Sequence, residues 1–136
     1  MLPEIRAVVA AWRDQVDFGC VYIQEAHACD EWPIGKADKI PQATTLEMRL
    51  KMARRLAAET DLAMPLFVDG INNAFETAFA SWPFRFWCLV DGKVSFKAMP
   101  REANYHVADL VAHLEALLPP HPRPGSPPQA PVRAKE

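Results

Sequence analysis

The chain has 136 residues, half of them hydrophobic and 24% charged, which suits one domain with a proper core. Its 15 basic and 17 acidic residues are well mixed and leave a net charge of −2, so a basic surface for nucleic acid is not expected. No run approaches the length of a membrane span and the first residues lack a signal-peptide pattern, so a soluble, cytoplasmic chain is expected.

The chain opens on a helix. Leu2, Ile5, Val8, Val9, Trp12 and Val16 recur at helical spacing with charged residues between them. Phe18 to Gln24 then forms a near-continuous apolar run, the pattern of a strand buried on both faces. Its carboxyl end carries Glu25, His27 and Cys29, a carboxylate, an imidazole and a thiol within five residues. Strand ends of this kind collect ligands and reacting groups in open α/β sheets, so this is the expected site. Cys29 is the resident thiol that an adjacent imidazole could activate.

A loop over 28–42 follows, punctuated by Pro33, Gly35 and Pro41. Thr44 and Glu47 give a capping box for a helix running to about Thr60, with Leu46, Leu50, Ala53 and Ala57 on one face. Arg49, Lys51, Arg54 and Arg55 read as its solvated face. Met64 to Val68 is a second short buried strand, delivering Asp69 at its end. Asn72 and Asn73 are N-cap positions for a helix through Phe79. After Pro83, the run 84–90, the Asp91-Gly92 turn and the alternating 93–97 segment predict a hairpin. Val107, Leu110, Val111, Leu114, Leu117 and Leu118 mark a closing helix. The segment 119–136 is proline-rich with few apolar side chains and is expected to be a disordered tail. Cys20, Cys29 and Cys88 form no CxxC pair and the four histidines have no ligand spacing, so neither a disulfide framework nor a metal site is expected.

Helix, strand, helix, strand, helix, hairpin and helix is the order of an α/β thioredoxin-like fold, three layers α/β/α, less its first strand. The run VYIQEAHACDEW from Val21 to Trp32 resembles the strand and E-A-H turn of the iodothyronine deiodinase family. The likeness continues through Ile40-Pro41-Gln42, the TLEMRL helix start, PLFVD, Asn72-Asn73, WPFRFWCLVDGKVSF and Tyr105. It spans about 12–118, an incomplete domain placed at 1–118 with the tail beyond it.

The resemblance implies reductive removal of iodine from an aromatic ring by a selenolate or thiolate, with a thiol reductant as co-substrate and no other cofactor. It makes His27 and Glu25 the acid and its relay, set on one side of the strand, with Tyr22, Pro83 and Arg101 in support. The family's proline at the position of Pro83 is cis. Arg85 covers the hairpin. The family's selenocysteine or cysteine opens the first helix, a register that falls just before Met1, so the nucleophile and its strand are expected to be missing from this chain. A selenocysteine codon read as a stop would explain that. The absent strand is expected between 18–24 and 65–68, leaving both unpaired and the chain unstable as a monomer.

Two positions depart from the family pattern. Ala43 stands where vertebrate members have a histidine, and Pro100 falls at the substrate-clamping arginine, with Arg101 one residue late. A more generic thiol-dependent oxidoreductase therefore stays open, as does a homodimer. The contrasting reading is a non-catalytic thioredoxin-fold binding module completed by a partner chain.

Overall fold

The computed structural model describes residues 1–34, 40–102 and 104–119. The expected proline-rich tail from Pro120 onward lies outside them. The elements follow the predicted order: α1 (Leu2–Trp12), β1 (Cys20–Tyr22), α2 (Leu46–Thr60), β2 (Leu66–Val68), α3 (Ala74–Phe79), β3 (Trp87–Val90), β4 (Lys93–Lys97) and α4 (Val107–Leu117). The fold is mixed α/β, with two small two-stranded sheets. No described helix is long and apolar enough to cross a membrane.

The apolar stripes of α1 and α4 meet each other and the hairpin. Val8, Trp12, Val107, Leu110 and Leu114 form the buried cluster, flanked by Phe18, Phe86, Cys88 and Phe96. Burying such side chains contributes about 1.5–3 kcal/mol each, so this cluster is a main source of stability. The hairpin turn needs two left-handed residues, and Asp91 (φ 50°) and Gly92 (φ 73°) supply them. A register shift interrupts the ladder between Cys88 and Leu89.

β1 and β2 pair directly and in parallel, Cys20 with Leu66, Val21 with Phe67 and Tyr22 with Val68. This corrects the expectation of a strand between them. Each is the other's hydrogen-bonding partner, and among the described residues the outer edge of each of the four strands lacks a strand partner. The paired spans are shorter than the apolar runs, because a ladder extends only as far as its three-residue partner.

The helix ends also differ in detail. The N-cap of α2 is Thr45, whose Oγ1 accepts from Met48 N–H at 3.2 Å, so the cap lies one residue beyond Thr44. Arg49 is not solvated: at 2% exposure it is the most enclosed large side chain. Its Nη1 donates to the carbonyl oxygens of Gly70 (2.6 Å) and Asp69 (3.4 Å), which compensates part of its desolvation. At α3, Asn73 occupies the N-cap but makes no cap hydrogen bond with its side chain. Its Nδ2 donates instead to Gln24 Oε1 at 2.9 Å. The first-turn amides of Phe75 and Glu76 donate to the Asp69 carboxylate at 2.9 and 3.0 Å.

Asp69 thus takes the role read from sequence for the asparagines. Asp69→Ala is expected to lower stability by about 1–2 kcal/mol, read from the urea midpoint. An equal loss from Asp14→Ala, at an exposed turn outside this network, would refute the assignment.

Candidate functional site

The site is built where the carboxyl ends of β1 and β2 meet α2. Past Tyr22 the chain leaves the ladder and bends, so the two-residue alternation of a strand no longer governs 25–27. Glu25 and His27 consequently take different surroundings, contrary to the expectation that they share one side.

Glu25 is half-buried and faces α2. Its Oε1 accepts a hydrogen bond from the Tyr22 hydroxyl. Gln42 clamps its backbone, accepting from Glu25 N–H and donating to Glu25 C=O, both at 3.1 Å. Gln42 is itself held by Asp30 Oδ1, which accepts from its N–H at 2.8 Å, and its Nε2 also reaches Glu31 Oε2 at 3.1 Å. Burial pushes the Glu25 carboxyl above the ordinary glutamate range, and the Arg49 charge pulls partly back. From the sequence Gln42 is only a landmark and Arg49 belongs to a solvated face; a polar residue closing the apolar Ile40-Pro41 segment is the one local signal for Gln42.

His27 is exposed. Its Nδ1 lies 3.2 Å from the Trp32 carbonyl oxygen and its ring is 4.9 Å from the Trp32 ring. Trp32 in turn stacks on Trp82 at 6.3 Å and 24°. The Trp82–Pro83 peptide bond is cis, as the resemblance implies for this proline. The aromatic pair thereby links the turn after β1 to the entry of β3. Among the described residues no hydrogen bond joins His27 to Glu25.

The remaining predicted residues separate. Arg101 makes an exposed ion pair with Asp109 at 2.9 Å and an isolated bridge with Asn104. Arg85 does more than cover the hairpin, since its Nη2 donates to the Tyr105 hydroxyl at 3.0 Å. Ala43 is buried. Cys29 is a half-buried free thiol whose backbone N–H donates to the Ile40 carbonyl at 2.8 Å. Burial raises the Cys20 and Cys88 thiols, which disfavours their thiolates. Among the described residues no group of three metal-ligating side chains converges.

A raised carboxyl links Glu25 to stability. Below the ordinary glutamate range both states are protonated; above it the unfolded chain releases the proton while the folded chain retains it. The stability contributed is therefore full on the acid side and is lost as pH rises through the folded value. Glu25→Gln cannot ionise, so wild type should lose stability relative to this variant as pH rises through and above the ordinary glutamate range. A pH-independent difference in unfolding midpoint would contradict the raised carboxyl.

The sequence model of the iodothyronine deiodinase family matches residues 1–118. A type I iodothyronine deiodinase of Xenopus laevis is 31% identical over 114 residues, covering 84% of this chain and 45% of the relative. Thyroxine 5-deiodinases of Sparus aurata and Gallus gallus are 30% and 31% identical over 115 residues, with 84% of this chain and 43% and 44% of the relatives covered. The chain thus spans less than half the length of these relatives. With the match running through every element from α1 to α4, the chain belongs to the iodothyronine deiodinase family.

Proposed function

We propose that this chain is the proton-handling part of a deiodinase-like thiol or selenol oxidoreductase with a thioredoxin-like organisation. The observation that carries the reading is the Tyr22–Glu25 pair, set at the carboxyl end of β1 and held by Gln42. The nucleophile in this reading is a selenocysteine or cysteine on a strand outside these 136 residues, lying along the open edge of β1 and facing the entry to β3 at Pro83. The nearness of Trp32 to Trp82 supports this, because it brings the two ends flanking that space together.

The reaction converts an iodoaryl compound and two thiols into the deiodinated ring, a disulfide and hydrogen iodide. The chalcogenolate attacks iodine and takes it from the ring, and the electron pair of the broken carbon–iodine bond remains on carbon and accepts a proton. His27 serves as the exposed proton donor, and Tyr22 with Glu25 forms a second proton-holding pair on the side facing α2. A first thiol displaces iodide from the oxidised chalcogen; a second releases the chalcogenolate as the disulfide forms. Cys29 is the alternative thiol, two residues from the imidazole. Arg101, tied to Asp109, contributes at most to the rim.

The open edges of β1 and β3 favour a second reading, a non-catalytic binding module completed by a partner's strand. Joining a cysteine-bearing strand ahead of α1 separates the two. With excess dithiothreitol, the joined protein should release iodide from an iodophenol. His27→Ala is expected to slow release about a hundredfold, the scale of a lost general acid, and Glu25→Gln to slow it less while altering the pH profile. A folded joined protein that releases no iodide would support the binding module.

A further inference from the structure

One flank of α2 takes no part in that reaction scheme. Met48, Met52 and Leu56 stand one turn apart and face Ile40 and Pro41 across a cleft of about 430 Å³, with Tyr22 on its inner wall. This is the size of a small-molecule site. Neither His27, Trp32, Trp82 nor Pro83 lines it.

The lining selects a ligand type. Two unbranched thioethers give a soft, polarisable wall that adapts to a flat ring and makes favourable sulfur contacts at the ring edge. Three ionic side chains of α2 also border the cleft: Lys51, Arg55 and Glu59. Arg55 and Glu59 hold each other at 2.7 Å, so their charges largely cancel. Lys51 is exposed and has no ion-pair partner among the described residues. Glu25 belongs to the inner wall, where its carboxyl is engaged by the Tyr22 hydroxyl and burial favours its neutral form. Lys51 is therefore the cation at the cleft that is left for a ligand's anion, beside a largely apolar lining.

We propose that this cleft binds a flat, apolar monoanion of the aryl carboxylate type, its ring between Met48 and Met52 and its anion at Lys51. The cleft shares Tyr22 and Glu25 with the proposed proton pair but not His27, and the proposal rests on the methionine wall and Lys51 alone.

Methionine methyl NMR on the full chain tests it, with naphthoate as the probe. Of the five methionines, only Met48 and Met52 line the cleft, while Met99 is 59% exposed elsewhere. Saturable shifts are expected at Met48 and Met52 and none at Met99. Lys51→Gln should weaken binding about fivefold, the scale of one exposed charge contact, and neutral naphthamide should bind correspondingly less well. Arg54→Gln, an exposed cation outside the cleft, should leave the affinity unchanged. Shifts of equal size at Met99, an unaltered affinity for Lys51→Gln, or equal weakening by Arg54→Gln would each overturn the proposal.

Discussion

The guanidinium of Arg49 is the constraint on which the rest of the site depends. It sits among the ends of α2, β1 and β2, nearly closed to solvent, and donates to two consecutive carbonyls of the turn after β2. A buried carbonyl left without a donor costs about 1–3 kcal/mol, so the turn is fixed relative to α2. That turn presents Asp69 to the amides of α3 and places Asn73 against Gln24. One buried cation thereby aligns the segment that delivers Glu25. Its charge also tempers the desolvation of that carboxyl, so a structural role and an electrostatic one fall on the same side chain.

The two sheets give the molecule its second organising feature. β1 and β2 satisfy each other along one edge, as do β3 and β4, and each pair retains two outer edges with no described partner. Unpaired backbone edges are templates for another strand. The halves are not independent, because α1 packs on α4 and the hairpin while Phe18, leading into β1, joins the same cluster. Trp32 and Trp82 add a second link at the polar end. The same bend that ends β1 turns Glu25 toward α2 and His27 toward these tryptophans, so the two ionisable groups of one short turn serve different surfaces.

Much of this was legible from the residues themselves. Helical stripes located α1, α2 and α4, Asp91-Gly92 located the hairpin turn, and the run of landmarks from Val21 to Tyr105 identified the family. These signals are local: a periodicity or a turn preference is written in neighbouring residues, because the backbone geometry that requires it is local. Tertiary structure alone decided which strands pair, that Arg49 is inside, that Asp69 caps α3, and that Glu25 and His27 diverge. Each of those rests on groups distant in sequence, such as Gln24 and Asn73 or Arg49 and Gly70, whose meeting depends on the whole chain's packing. An arginine on a helix is the same letter in water or in a core, and only the carbonyls that close around it determine which.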